Sequence, residues 1–386
     1  MQQVILKKGR ERSLLQNRHP WIFSGAIASY SSGFQPGDVA QVYSAEKIFL
    51  GLAYFHPSHS LAGRILSWEE GSLQEIIRGK IEKAHKLRSL LFDKKKTNAF
   101  RVINAEADGL PGLIVDLYND ILVLQIQTLG MERLRSLIVE ALIETLSPRG
   151  IYEKSVARDK EGLQPHEAWL FGTETPEIEV LEYGLPFLVS LTEGQKTGCF
   201  LDQREMRRKV GELSQGRSLL NLFSYSGGFS LHALEGGARS VVNVDICPRA
   251  TRLCKQNLSR YPQERVSCVQ EDVFSFLQSE DLSKYEVIVL DPPAFAKSRG
   301  EIPGASQGYR ALHRAIFSKS APGTLLVTSS CSYFIDPSLF QHLIFTEAAK
   351  AKREVQILSR HLHAPDHPIS LYHPEGEYLK SLILHL

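Results

Sequence analysis

Residues Ser218-Leu219-Leu220-Asn221-Leu222-Phe223 form an apolar run that breaks into Ser224-Tyr225-Ser226-Gly227-Gly228-Phe229 and resumes as Ser230-Leu231-His232-Ala233-Leu234. Such a passage folds as a strand, a tight turn and a helix, and it constrains the chain more than any other stretch. Paired glycines permit positive φ and let a ligand approach bare backbone, while the helix start leaves N–H groups for an anion. The spacing matches neither Gly-x-Gly-x-x-Gly nor Gly-x-x-x-x-Gly-Lys-Ser, which argues against dinucleotide and nucleoside triphosphate loops. Downstream, the β-branched run Ser240 to Asp245 ends on a carboxylate, where the second strand of a doubly wound sheet delivers an acid to ribose hydroxyls. After a helix predicted over Pro248 to Leu258, Val266 to Asp272 is another short strand closing on acids, suited to an adenine amino group. Tyr285 to Asp291 is the next, and Pro292 and Pro293 stiffen its end. Read alone, each acid is equally a helix N-cap. Their order after the glycine turn is what points to a ligand site.

From Asn221 to Phe295 the chain resembles the class I S-adenosylmethionine-dependent methyltransferases. The resemblance implies a Rossmann-like α/β domain with S-adenosylmethionine as cofactor. Ser224, Tyr225, Gly227 and Phe229 would form the methionine-side loop, Asp245 would hold ribose and Asp272 adenine, and Asp291-Pro292-Pro293 would stand beside the substrate. Upstream, Gly194-Gln195-Lys196-Thr197-Gly198 followed by Leu201-Asp202-Gln203-Arg204 reads on its own as a linker with a helix start near Asp202. It also resembles the opening motif of the bacterial large-subunit (23S) ribosomal RNA methyltransferases built from PUA, middle and catalytic domains. That likeness covers nearly the whole chain and implies that the segment folds over the cofactor, with Phe200, Gln203 and Arg204 as contacts and Arg204 pairing with the methionine carboxylate.

At 386 residues and 43% hydrophobic composition, the chain has room for two or three buried cores. Short β-like runs at Val4-Ile5-Leu6, Trp21-Ile22-Phe23, Asp38 to Tyr43, Ile48 to Phe55 and Arg64-Ile65-Leu66 suggest a small barrel. Gly9-Arg10, Arg18-His19-Pro20-Trp21, Pro36 to Val39 and Phe49-Leu50-Gly51 resemble the RNA-binding PUA domain, with Arg10, Arg12, Arg18 and His19 as its basic face. Helical spacing over Leu73 to Leu91, a hairpin about Asn119-Asp120, a helix at Met131 to Leu146 and a strand from Gly150 predict an α+β middle domain with a docking role. The expected division is 1–72, 73–187 and 188–386. No apolar stretch reaches membrane-spanning length, so no membrane partner and a cytoplasmic location are expected. A net charge of +2 is silent on nucleic acid, and the five cysteines form no Cys-x-x-Cys pair. His361, His363 and His367 lack the spacing of a metal site, and no metal is expected.

The reaction turns on Leu325 to Ser332, a strand running into the small-residue turn Ser330-Cys331-Ser332. A cysteine at a strand end is ordinarily a buried small hydrophobe. Carbon 5 of cytosine, however, accepts a methyl group only after a thiolate has added to carbon 6. The turn resembles the nucleophile motif of RNA 5-methylcytosine enzymes, which implies Cys331 as nucleophile and Asp291 as its catalytic partner on ring nitrogen 3. Pro292, through its carbonyl, and Phe295 would contact the base. Many RNA cytosine methyltransferases carry a second cysteine after the proline of the Asp291 segment, whereas this chain has Pro293-Ala294-Phe295, as the large-subunit group does. The base that takes the carbon 5 proton is not identified. The closing segment Tyr372 to Lys380 is expected to wall the substrate pocket. Alternatives are methylation of an amino group or ring nitrogen, with Cys331 as plain core, and a noncatalytic RNA-binding assembly factor. The expected partner is 23S ribosomal RNA, with a homodimer left open.

Overall fold

The computed structural model describes residues 2–386. The chain forms two compact units, Met1–Gly184 with Pro365–Gly376, and Leu185–Ala364 with Glu377–Leu386. The stretch 365–376, expected with the last domain, belongs to the first unit.

In the first unit, the six-stranded sheet runs in the order Trp21–Phe23, Leu61–Ser67, Phe49–Phe55, Val39–Tyr43, Gln2–Leu6 and Ile27–Tyr30. Its two edge strands are joined by the short turn Ser24–Ala26, so the sheet must curl until its edges meet, as a small barrel does. Ile27–Tyr30 was not expected, because its burial does not alternate. Val4, Ile22, Val42, Phe55 and Ile65 fill the interior. A separate core lies under the five-stranded sheet that contains Leu113–Tyr118 and Ile121–Ile126. Against it packs the helix Leu73–Leu91, capped by Ser72, with Ile77, Ile81 and Ala84 turned inward at helical spacing. The expected helix over Met131 to Leu146 is divided at Leu134 into Leu129–Arg133 and Arg135–Leu146.

Arg88 on the long helix is 0% exposed. Its guanidinium donates to both Asp108 oxygens, at 2.6 and 2.8 Å, and to the Asp366 carbonyl at 2.8 Å, which ties 365–376 into this unit. Removing one member of a buried pair leaves the other charge uncompensated. Arg88→Met should therefore cost about 3–5 kcal/mol in urea unfolding, with Asp108→Asn in the same chain recovering part of the loss. An unchanged midpoint would contradict this.

The second unit is built on a seven-stranded sheet in the order Val266–Gln270, Ser240–Asp245, Ser218–Leu222, Val287–Leu290, Leu325–Ser330, Lys380–His385 and Gln356–His361. The first five strands are parallel, and Lys380–His385 runs antiparallel to both its neighbours. Ser218–Leu222 and Val287–Leu290 are buried throughout, as parallel strands covered on both faces must be. Tyr309, Leu312 and Ile316 of the helix Ile302–Lys319 join Phe340 and Leu343 of Pro337–Lys350 in the core. The helix Pro248–Leu258 forms with the predicted bounds, its proline at the first turn. Strand order reverses on either side of Ser218–Leu222, and the crevice outside the carboxyl ends at such a point is where open α/β sheets bind ligands.

Candidate active site

The turn after Ser218–Leu222 holds Phe223, Tyr225 and Gly227 at φ of 59°, 46° and 80°. Left-handed backbone at two non-glycine residues persists only when surrounding contacts over-determine it. Here the Ser224 amide donates to the Val244 carbonyl at 3.0 Å and the Tyr225 amide to Asp245 Oδ2 at 2.8 Å. The Tyr225 hydroxyl donates to the Gly198 carbonyl at 2.8 Å and accepts from the Gln195 amide at 2.9 Å. Asn257 Nδ2 donates to the Ser226 carbonyl at 3.0 Å. Asp245 Oδ1 accepts from the Cys247 amide at 2.9 Å, so two amides orient this carboxylate.

Above the turn lies a cavity of about 240 Å³. The sequence-predicted residues Phe200, Gln203, Ser224, Tyr225, Phe229, Asp245, Asp291, Pro292 and Cys331 line it. Four others lie elsewhere. Arg204 is 0% exposed, and Arg207, one turn further along the helix Arg204–Leu213, stands in the wall instead. Gly227 was read as open to ligand, yet a Cβ there would meet Cys254 Sγ at 2.7 Å, so a larger residue would strike the helix beneath the turn. It is Gly228 that lines the cavity, and its missing Cβ leaves room for Arg207 Cδ, which would lie 2.9 Å away. Asp272 is outside the wall, where its Oδ1 caps the helix Val273–Ser279 by accepting from the Ser275 amide at 3.0 Å. Phe295 packs into the core, with ring centroids 5.0 Å from Tyr309 and 6.5 Å from Phe274.

Sequence reasoning missed Asp202 and Ile246 in the wall, whereas Leu379 comes from the closing segment expected there. Asp202 lay inside the motif already singled out, and Ile246, 63% exposed beside Asp245, was legible as an apolar residue following a strand-end acid.

Asp291, just past Val287–Leu290, accepts from Gln203 Nε2 at 3.0 Å. Burial, with the Asp202 carboxylate beside it, pushes its pKa up to about 7, against opposition from Gln203 and Arg207. Asp202 accepts from the Tyr378 hydroxyl at 2.6 Å. Burial likewise raises the Cys331 thiol to about 12, reinforced by Asp291 and Asp202. Two carboxylates and a thiol therefore share one pocket in which Asp291 keeps its proton into the neutral range and Cys331 is protonated.

Parallel strands around a central reversal, a glycine turn and strand-end acids at one cavity define a class I S-adenosylmethionine-dependent methyltransferase. A family model for S-adenosylmethionine-dependent methyltransferases matches residues 149–383, and one for the PUA-like domain matches residues 4–68. Ribosomal RNA large subunit methyltransferase I of Aeromonas salmonicida is 38% identical over 391 residues, covering 99% of this chain and 98% of its own. The protein of the same name from Aeromonas hydrophila is 39% identical over 393 residues, with the same coverage. Among solved structures, SMU.776 complexed with SAH superposes with a TM-score of 0.85 at 25% identity over 100% of both chains. Trm5b from Pyrococcus abyssi shares the fold, with a TM-score of 0.54 at 15% identity over 70% of this chain and 74% of that one. The chain belongs to the ribosomal RNA large subunit methyltransferase I family.

The Asp291 shift fixes a stability signature. The folded chain holds this proton up to about 7 against an ordinary 3.8, so between those values it binds more protons than the unfolded chain. Stability contributed there falls as pH rises through the window and stays lost above it. Asp291→Asn removes the penalty, which is at most about 4 kcal/mol. Its melting temperature should match the wild type near about pH 3.5, exceed it by a margin that grows as pH rises, and hold the full excess above about pH 7. A difference that does not change with pH would contradict the assignment.

Proposed function

We propose that this enzyme methylates carbon 5 of a cytosine in 23S ribosomal RNA through a covalent adduct at Cys331. The observation that carries this reading is that Cys331 lines the same cavity as Asp245 and Asp291. Methylation of an amino group or ring nitrogen needs no thiol there. The names of the relatives support ribosomal RNA as the substrate class.

The donor set of the wall fits S-adenosylmethionine. Asp245, oriented by two amides, supplies acceptors for ribose hydroxyls, and exposed Ile246 beside it offers an apolar surface to the adenine face. Arg207 takes the role expected of Arg204, as the cation in the wall that would pair with the methionine carboxylate. Bound there, the cofactor supplies an electrophilic methyl carbon.

The cytosine must be unstacked to enter, so a loop or an opened base is the expected substrate. With its proton retained near neutral pH, Asp291 donates to ring nitrogen 3, and the Pro292 carbonyl accepts from the exocyclic amine. The proton on ring nitrogen 3 draws electron density from carbon 6, and the carbonyl stabilises the positive charge this places on the amine. The Cys331 thiol gives its proton to solvent and its sulfur bonds to carbon 6 as ring nitrogen 3 takes the Asp291 proton, which leaves carbon 5 an enamine carbon able to take a methyl group. Ring nitrogen 3 then returns its proton to Asp291, the carbon 5 proton leaves to solvent, and the carbon–sulfur bond breaks, which restores the double bond and frees the thiolate.

Replacing the carbon 5 hydrogen with fluorine blocks that last step. RNA carrying 5-fluorocytosine should therefore accumulate a stable protein–RNA adduct in the presence of cofactor, mapped by peptide mass spectrometry to Cys331. Cys331→Ala should abolish both adduct and methylation. If that variant methylates RNA at the wild-type rate, an amino or ring-nitrogen target replaces cytosine.

A further inference from the structure

The final strand of the sheet carries a buried lysine. Lys380 is 7% exposed and pairs across the antiparallel ladder with Ser330, the residue before Cys331. Its Nζ donates to the Ser332 carbonyl at 2.6 Å and to the Tyr378 carbonyl at 2.8 Å. A buried ammonium is costly unless hydrogen-bonded, and a neutral donor or an apolar side chain would fill the site at lower cost. What the ammonium adds is charge, placed one residue from the thiol.

We infer that Lys380 is a positioning residue for Cys331, holding the turn that carries the thiol and setting a positive charge beside the sulfur. The inference rests on the reading of Cys331 as nucleophile. Anionic sulfur in this pocket faces Asp291 at the end of Val287–Leu290, Asp202 in the turn before Arg204–Leu213, and Tyr309 on Ile302–Lys319. Opposing them are Lys196 in the preceding loop and Lys380. Asp336 and Glu377 face Lys380 in turn. The ammonium thus offsets part of the cost of forming a thiolate next to two carboxylates, while its bond to the Ser332 carbonyl fixes where that thiolate stands. Burial lowers the pKa of Lys380 to about 8, so the charge is present at neutral pH and leaves just above it.

Iodoacetamide labelling of Cys331 in the intact chain, without RNA or cofactor, tests this by peptide mass spectrometry between about pH 6 and about pH 10. In the wild type the logarithm of the rate should climb with pH and then flatten near pH 8, where each further proton lost comes from Lys380 and the charge beside the thiolate disappears. Lys380→Arg stays charged throughout and should climb without flattening there. Lys380→Met should also climb without that bend, and near neutral pH it should label about tenfold more slowly than the wild type. Titration of Asp291 marks all three profiles alike. The reading is therefore the extra flattening near pH 8 that the wild type shows and Lys380→Arg lacks, and a purely structural staple would leave those two profiles superimposed. A wild-type profile without the bend, or a Lys380→Met chain labelled at the wild-type rate near neutral pH, overturns the inference. Failure of the covalent mechanism shows separately, as absence of the 5-fluorocytosine adduct in a chain whose labelling profile still bends.

Discussion

Two backbone amides, those of Tyr225 and Cys247, converge on the carboxylate of Asp245, and the ligand-binding half of the second unit depends on that convergence. It ties the turn after Ser218–Leu222 to the end of Ser240–Asp245, which lets Phe223 and Tyr225 keep left-handed backbone that few residues adopt. The helix Pro248–Leu258 supports the arrangement from below, through Asn257 on the Ser226 carbonyl and Cys254 against Gly227. A buried network of Asn221, Ser230 and Asn243 joins the two strands to the helix that follows the turn. The Asp245 carboxylate is therefore presented by a hydrogen-bonded frame, as a site that must orient a cofactor requires.

Electrostatics then sorts the groups in the cavity. Burial, reinforced by the Asp202 carboxylate, lets Asp291 hold its proton into the neutral range. Cys331 pays for that neighbourhood with a thiol that ionises reluctantly, and Lys380 stands on the opposite side of the balance. A protonated thiol reacts slowly with oxidants and alkylating agents, since the thiolate is the reactive form.

Much of this was legible in the amino-acid sequence for physical reasons. Asp245, Asp291 and Cys331 each end an apolar β-run, and a residue in that position of a doubly wound sheet has little choice but to face the crevice. What the sequence hid depended on local rotation. Whether Arg204 or Arg207 faces the cavity depends on the phase at which the helix leaves the short turn Leu201–Gln203. Which of the paired glycines opens to the ligand depends on the helix beneath, which occupies the Cβ space of Gly227 and leaves Gly228 to the cavity side. Phe295 follows two prolines yet packs, partly buried, against Tyr309 and Phe274 and stays out of the cavity wall. The departure of 365–376 to the first unit had no local signal at all, since its anchors, Arg88 and Arg101, lie more than 250 residues away in the chain.

Under the proposed function, the thiol in this cavity makes cytosine the target. Mass-spectrometric mapping of 23S ribosomal RNA, from cells lacking this chain and from cells in which it is restored, tests the claim most directly. Loss of one 5-methylcytosine in the deletion strain, returning with the wild-type chain and not with Cys331→Ala, is the predicted result. An unchanged set of 5-methylcytosines, with a methylated guanine or adenine missing instead, would contradict it.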